Sequence, residues 1–121
     1  MSVFLDKSAS EHVLTGTHFF VIRDGFPVSP GHLLIVSKVV RPDFFSLTPA
    51  EQAELPAMIE AARAYLDREH APDGYNIGMN CGIASGQTIP HFHCHVIPRY
   101  TGDVENPRGG VRGVIPGKQQ Y

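Results

Sequence analysis

Short apolar runs separated by turn residues dominate the first third of the chain. The runs at 13–14 and onward, 18–23 and 32–37 have the length and the β-branched or aromatic content of β-strands. Asp24-Gly25, followed by Pro27 and Pro30, marks an irregular connection between the last two runs. A further run at 75–80 predicts a fourth strand. The pattern therefore predicts a sheet of several short strands.

One longer segment, between the third and fourth strands, has helical spacing. Thr48 is placed as an N-cap, Pro49 takes the first helical position, and Glu51 completes a capping box. The apolar stripe that follows predicts a helix with one buried face, formed by Leu55, Met58, Ile59, Ala62 and Leu66. Because Pro56 lacks a backbone donor, it predicts either a kink or a helix that begins near Pro56 itself.

The run at 91–95 is the clearest candidate for chemistry. It reads His-Phe-His-Cys-His, so histidine alternates with apolar residues at the period of a strand. His91, His93 and His95 should therefore share one face, with neighbours about 6.5–7 Å apart along the backbone. Pro98 is expected to end this strand. A packed core has no use for three adjacent imidazoles, so the row predicts a functional surface.

Composition limits the class of protein. The chain has 121 residues, 42% of them hydrophobic and 18% charged, with a formal net charge of −2, which suits a single domain over 1–121. The absence of a basic excess argues against DNA or RNA as a partner. No apolar stretch matches a signal peptide or a membrane span, and Cys81 and Cys94 form no CxxC motif. We therefore expect a cytoplasmic α+β domain with no membrane contact.

The segment at about 101–121 is rich in glycine and proline, so we expect an irregular tail. It is not a purely polar segment. We expect its apolar residues to pack against the domain, namely Val111, Val114, Ile115 and Tyr121.

Three adjacent imidazoles suit reactions at phosphorus. A neutral His93 can attack phosphorus, while a flanking histidine stabilises negative oxygens or protonates the departing group. A covalent phosphohistidine would divide the reaction into two easier steps. Gly86 permits close backbone approach, and Gln87 and Thr88 offer uncharged donors just before the row. His32, after Gly31, is a candidate fourth imidazole.

Two other functions are compatible with the row. A bound metal would use two of the three histidines plus an outside ligand such as His32, because the outer two lie about 13 Å apart. The protein would then be a metal-dependent hydrolase. A nucleotide-binding module without turnover would keep the same pocket.

Several of these segments together resemble the histidine triad (HIT) family of nucleotide hydrolases and transferases. The matching segments are 76–80 (Asn-Ile-Gly-Met-Asn), 86–89 (Gly-Gln-Thr-Ile), 91–99 (His-Phe-His-Cys-His-Val-Ile-Pro-Arg) and, upstream, 27–32 (Pro-Val-Ser-Pro-Gly-His). The resemblance covers roughly residues 13–100, and the tail is similar to that of some bacterial-type members. It implies a HIT-like antiparallel sheet with one main helix, with the sheets of two chains joined in a dimer.

The resemblance also implies roles for the histidines and their neighbours. By position, His93 matches the nucleophile that becomes a nucleotidyl-histidine. His95 and Gln87 match phosphate contacts. His91 and His32 complete and orient the histidine set.

On the nucleotide side, Asp24 matches a residue that binds ribose hydroxyls, although a turn residue alone would also suit its position. Ile22 and Leu34 would form the walls of the base pocket. Asn80 stands where the fragile-histidine-triad branch often has glutamine, which leaves the polyphosphate contact open. The N-terminal cysteine zinc ligands of some members are absent, and we predict no metal site.

The function implied is a nucleotide hydrolase or nucleotidyl transferase that acts at the α-phosphate of a nucleoside polyphosphate or phosphoramidate, for example a diadenosine polyphosphate. The expected substrate is a purine nucleotide, with no cofactor and a divalent ion only as part of a substrate complex. We also expect a homodimer, because a small sheet with one helix leaves an edge and apolar surface uncovered. The strand at 75–80 and the helix stripe are the candidate shared surfaces, with the tail at 112–121 reaching the neighbouring site.

Overall fold

A computed structural model describes residues 2–121. Five strands form one antiparallel sheet in the order β1-β2-β3-β5-β4. Their bounds are β1 Leu14–Thr15, β2 Phe19–Arg23, β3 Leu33–Ser37, β4 Gly74–Gly78 and β5 His93–Arg99. The α-helix α1 spans Pro49–His70, and short 3₁₀ turns connect the other elements. The predicted α+β class, with an antiparallel sheet and one main helix, is confirmed.

The start of α1 follows the sequence signal. The Glu51 N–H donates to Thr48 Oγ1 at 3.2 Å, and the Thr48 N–H donates to Glu51 Oε1 at 2.7 Å, which closes the predicted capping box. The helix continues through Pro56, so a start near Pro56 is wrong. The capping box satisfies the first donors of the helix, and this fixes its start at Pro49, about two turns before Pro56.

One face of the sheet packs against α1 to form the main core. The sheet side chains there are Phe19, Val21, Leu33, Ile35, Cys94 and Val96, and the helix supplies Leu55, Met58, Ala62 and Leu66. All are buried. The helix stripe is therefore occupied within its own chain, and the expectation that it forms a dimer surface is wrong.

The opposite face carries a smaller apolar cluster and the histidines. Phe20, Ile22, Leu34 and Val36 lie here, covered in part by Phe4 from the 3₁₀ turn Val3–Asp6. Because side chains alternate along a strand, the burial of Cys94 and Val96 under α1 places His93 and His95 on this second face. The less covered face of the sheet is therefore the one that carries the site.

Two strand ends differ from the prediction. β4 ends at Gly78 rather than at Asn80, and β5 continues through Pro98 to Arg99. Pro98 pairs with Tyr75 of β4, while its carbonyl faces the other side and accepts a hydrogen bond from the Ser29 hydroxyl. Pairing with β3 has already ended at Val96. No strand is therefore paired with Pro98 on the side of β3, so no backbone N–H is needed there and the proline is tolerated.

The tail has one short 3₁₀ turn, Gly110–Val114, and otherwise no regular structure. The expectation that its apolar side chains pack is wrong, since Val114 and Tyr121 are 75% and 73% exposed and Val111 and Ile115 are also exposed. With a glycine or proline every few residues, the tail has no continuous apolar face to bury. Within residues 2–121, no helix combines the length and apolar character needed to cross a bilayer.

Candidate active site

His93 and His95 line a pocket on the less covered face of the sheet. In the register of β3 and β5, His93 lies opposite Val36 and His95 lies opposite Leu34. The pocket encloses about 720 Å³, a volume typical of sites for small molecules. β5 thus presents two imidazoles to one cavity, beside the apolar side chains of β3.

A backbone carbonyl fixes the proton of His93. His93 Nδ1 lies 2.8 Å from the carbonyl oxygen of His91. Since a carbonyl only accepts, Nδ1 must carry the hydrogen and donate it. In the neutral ring, Nε2 then holds the lone pair. The backbone two residues before His93 therefore orients its ring and leaves Nε2 free.

His91 supports His93 from the interior. Its ring is fully buried, and Nε2 donates to the carbonyl oxygen of Ser37 at 2.6 Å. Burial lowers the pKa of His91, and the nearby His93 lowers it further, while the hydrogen bond to Ser37 raises it. The net direction is downward, so the ring stays neutral. The predicted surface of three histidines therefore consists of two partly exposed imidazoles, His93 and His95, and one buried imidazole, His91.

A second chain of hydrogen bonds fixes the protons of His32 and His95. The backbone N–H of Val28 donates to His32 Nδ1 at 3.1 Å, so His32 carries its hydrogen on Nε2. His32 Nε2 lies 2.9 Å from His95 Nδ1 and donates to it. In this neutral arrangement His95 keeps its hydrogen on Nε2. His95 therefore offers a donor beside the lone pair of His93, whose ring centroid lies 5.3 Å away.

Gly31 allows His32 to take this position. Its φ is +91°, which glycine adopts without strain. A Cβ at this position would also lie 2.8 Å from His70 and 3.0 Å from Leu66 at the end of α1. The turn before His32 can therefore pass close to the helix only with glycine.

Asp24, His32 and His95 bring three potential metal ligands together, with their ligand atoms within 4.8 Å of one another. The proton arrangement does not suit a metal. A neutral histidine that binds a metal through one nitrogen carries its hydrogen on the other, and that hydrogen normally meets an acceptor. His32 Nδ1 instead meets the N–H donor of Val28. This arrangement favours a hydrogen-bonded pair of imidazoles over a metal centre.

Most residues predicted for nucleotide binding also line the pocket. They are Ile22, Asp24, Leu34, Asn80 and Thr88, and His32 of the predicted histidine set lines the pocket as well. Ile22 and Leu34 are paired across β2 and β3 and form an apolar wall. The structure therefore brings together an apolar wall, a carboxylate and the two imidazoles.

Gln87 is not brought to this pocket. Its amide nitrogen donates to the carbonyls of Pro42 and Ile89, at 2.6 and 3.1 Å, and its amide oxygen accepts from the Gly82 N–H at 2.8 Å. The side chain orders the loop before β5. A direct phosphate contact through Gln87 stays a prediction, and it would require these bonds to break.

The N-terminal segment is part of the site, although its sequence pattern gave no indication of this. Phe4 is 6% exposed, and its ring lies edge-on to His93 with centroids 4.9 Å apart. Val3, Lys7 and Glu11 also line the pocket. The one sequence feature that could have indicated this is the apolar triplet Val-Phe-Leu at 3–5. Phe4 packs on side chains of β2 and β3, which are distant in sequence, so the triplet alone did not show which surface it covers.

Comparison with known proteins agrees with this geometry. The HIT domain family matches residues 6–102. The nitrilase and fragile histidine triad fusion protein NitFhit of Caenorhabditis elegans is 37% identical over 95 residues, which are 78% of this chain and 22% of that protein. The AP-4-A phosphorylase of Mycobacterium tuberculosis is 34% identical over 92 residues, 75% of this chain and 47% of that protein. The chain thus spans less than half the length of these curated relatives.

Solved structures show the same fold. The crystal structure of a HIT family protein from Bacillus anthracis superposes with a TM-score of 0.72 at 33% identity, covering 77% of this chain and 66% of that one. The crystal structure of the C. elegans NitFhit protein superposes with a TM-score of 0.76 at 33% identity, covering 89% of this chain and 26% of that one. Both the fold and the histidine motif show that this chain belongs to the HIT domain family.

Proposed function

We propose that this protein is a nucleotide hydrolase and nucleotidyl transferase that acts at the α-phosphate of a nucleoside polyphosphate or phosphoramidate. One observation carries the proposal: two imidazoles in one pocket have complementary ring nitrogens. His93 Nε2 holds a lone pair, because Nδ1 donates to the His91 carbonyl. His95 Nε2 is a donor, because Nδ1 faces His32. A nucleophile and an acid are thus side by side.

In the first half of the reaction, His93 Nε2 forms a bond to the α-phosphorus and the bond to the leaving group breaks. Positive charge develops on the His93 ring, where the Nδ1–H bond to the His91 carbonyl stabilises it. His95 Nε2 gives its proton to the leaving oxygen or nitrogen. The products are a nucleotidyl-histidine and a protonated leaving group.

In the second half, an acceptor attacks the phosphorus and the bond to His93 breaks. His95 Nε2, now without its proton, takes one from the acceptor, which restores the starting state. With water as acceptor the product is a nucleoside monophosphate. With inorganic phosphate the product is a nucleoside diphosphate.

The shape and lining of the pocket support a purine nucleotide as substrate. Ile22 and Leu34 form an apolar wall for a flat base, and Asp24, beside His32 and His95 in the same pocket, is a candidate ribose acceptor. Thr88 and Asn80, which also line the pocket, are candidate phosphate donors. Relatives of this chain are named as a bis(5'-nucleosyl)-tetraphosphatase in Schizosaccharomyces pombe and an AP-4-A phosphorylase in M. tuberculosis. We therefore propose diadenosine polyphosphates as the first substrates to test.

A kinetic panel tests this function. Diadenosine tetraphosphate is compared with an adenosine phosphoramidate, each with water alone and with added inorganic phosphate. We expect adenosine monophosphate from water, adenosine diphosphate if phosphate competes as acceptor, and undiminished phosphoramidate turnover in EDTA. An EDTA effect limited to the polyphosphate would reflect its substrate-bound ion. Binding without turnover of any substrate would contradict the proposal, as would phosphoramidate cleavage that stops in EDTA and returns with zinc.

We also propose a homodimer formed through β4. This strand lies at the outer edge of the sheet, so one side of its backbone is unpaired within the described sheet, and Ile77 is 40% exposed. A two-fold axis at this edge would bury the same surface on both chains. Light scattering at micromolar concentration should give twice the chain mass of 13.3 kDa. A mass of one chain in a fully active sample would contradict the dimer.

A further inference from the structure

Asp24 is held directly beside the His32–His95 pair. Its Oδ1 accepts the N–H of Phe26 at 2.8 Å, and its backbone N–H donates to the carbonyl of His32 at 3.0 Å. Its Oδ2 lies 3.3 Å from His32 Nε2 and 3.8 Å from His95 Nδ1. The side chain is only 15% exposed. One carboxylate oxygen therefore faces both ring nitrogens of the pair.

The neutral pair cannot easily act as an acid. It contains one hydrogen between its two facing nitrogens, on His32 Nε2. If His95 gave up its Nε2 proton in this state, it would become an imidazolate or would have to take the hydrogen of His32. His32 would then be the anion, and its Nδ1 has only the weak N–H donor of Val28 to stabilise it. A useful acid therefore needs one more proton on the pair.

An added proton has a single place to go within the pair. His32 Nδ1 faces an N–H donor, so the proton must bind His95 Nδ1. Both facing nitrogens then carry hydrogens and no longer bond to each other. Asp24 Oδ2 is within reach of both, and its charge balances the new cation.

We propose that Asp24 is a positioning residue that holds one extra proton on the His32–His95 pair, and that this is the proton His95 delivers to the leaving group. The inference rests on the proposed nucleotidyl transfer. After delivery, His95 keeps its hydrogen on Nδ1, directed at Asp24, and its Nε2 faces the pocket with a lone pair. That nitrogen can then take a proton from water or phosphate in the second half, so the cycle closes without a change of tautomer.

The surrounding charges agree with this role. Burial lowers the pKa of His95, charges on His32 and His93 lower it further, and Asp24 is the group that raises it. For His32, burial likewise lowers the pKa and Asp24 raises it. The other charged groups facing the pocket are Asp6, Lys7 and Glu11 on the N-terminal segment and Arg23 beside Asp24. Among the carboxylates of residues 2–121, Asp24 is the one within 4 Å of the pair.

Asp24→Asn is the direct test. Asparagine keeps the oxygen that accepts the Phe26 N–H but removes the charge and the shared acceptor. Since Asp24 raises the pKa of the pair and the protonated pair is the active acid, its loss should lower that pKa. The alkaline limb of the kcat profile should therefore move to lower pH, by about one unit or more for the loss of a nearby opposite charge. Glu60→Gln removes one negative charge from an exposed site on α1, so it should leave the limb in place.

A role limited to ribose binding gives a different result. It would raise KM in Asp24→Asn and leave both limbs of the kcat profile unmoved, and this outcome would overturn the inference. If the asparagine variant does not fold, Asp24→Ser provides the same test, because the serine hydroxyl can still accept the Phe26 N–H.

An NMR titration of the imidazole rings in the free protein separates this inference from the proposed function. It requires no substrate and no turnover. We expect the pKa of His95 to be lower in Asp24→Asn than in the wild type. If the pKa of His32 and the pKa of His95 are each the same in Asp24→Asn as in the wild type, the inference is overturned even if nucleotides are cleaved. A lowered pKa of His95 in Asp24→Asn, together with no turnover of any nucleotide by the wild type, would instead show that Asp24 sets the protonation of the pair while the proposed function is wrong.

Discussion

Replacing His93 with asparagine is expected to lower the single-turnover rate by about 10⁴-fold or more. Asparagine has no nitrogen lone pair to form the bond to phosphorus, and the covalent route is lost entirely. Asparagine still fits the strand and can donate to the His91 carbonyl, so the fold and nucleotide binding should be kept. Rapid-quench kinetics with a labelled diadenosine polyphosphate, together with equilibrium binding of the same ligand, measure the two effects separately.

His70→Asn is the matched control for this experiment. His70 is exposed at the end of α1, which packs on the face of the sheet away from the pocket. The single-turnover rate of the His70→Asn variant should stay within twofold of the wild-type rate. A His93→Asn variant that keeps near-normal turnover would remove His93 from the role of nucleophile.

Replacing His95 with asparagine should give the second-largest loss, and its size should depend on the leaving group. Proton transfer by a positioned acid contributes about 10²–10⁴-fold, and an asparagine amide donates hydrogen bonds without transferring a proton. A phosphoramidate has a basic leaving nitrogen and should show the full loss. A 4-nitrophenyl ester of adenosine monophosphate releases a stable phenolate and should lose much less. First-turnover rates on the two substrates, measured side by side, provide the comparison.

An equal loss on both substrates would show that His95 acts on the phosphate oxygens alone and not on the leaving group. The same substrate pair provides an internal control. His93→Asn removes the nucleophile itself, so it should inactivate the protein toward both compounds regardless of the leaving group.

Short apolar runs predicted β2 and β3, which are buried almost throughout, and the alternation of histidine with apolar residues predicted β5, which buries one face. The capping box at Thr48 located the start of α1, and the period of the histidine row placed His93 and His95 on the same face. The end of β5 was missed, because whether Pro98 breaks a strand depends on its neighbours. Only the structure shows that its backbone faces Ser29 rather than a paired strand.

The sequence could not show which ring nitrogen of each histidine carries a hydrogen, for a similar reason. The protons of His93 and His32 are fixed by nearby backbone groups, the His91 carbonyl and the Val28 N–H, and their directions depend on the folded conformation of those two segments. The proton of His95 is fixed by His32, which is distant in sequence. The burial of His91 and the coverage of the pocket by Phe4 also depend on long-range packing. Sequence patterns identified the histidines of the site, while the structure shows which ring nitrogen of His32, His93 and His95 carries a hydrogen and which holds a lone pair.

The most direct test of this account is to trap the covalent intermediate. Protein mixed with a diadenosine polyphosphate labelled at the α-phosphate is denatured in alkali within one turnover, because the phosphorus–nitrogen bond of a phosphohistidine is more stable there than in acid. Peptide mapping then locates the label. We expect adenylate on Nε2 of His93, at a level that rises and falls with a single turnover and is absent in His93→Asn. Label on any other residue, or normal turnover with no labelled protein at any time point, would contradict nucleotidyl transfer through His93.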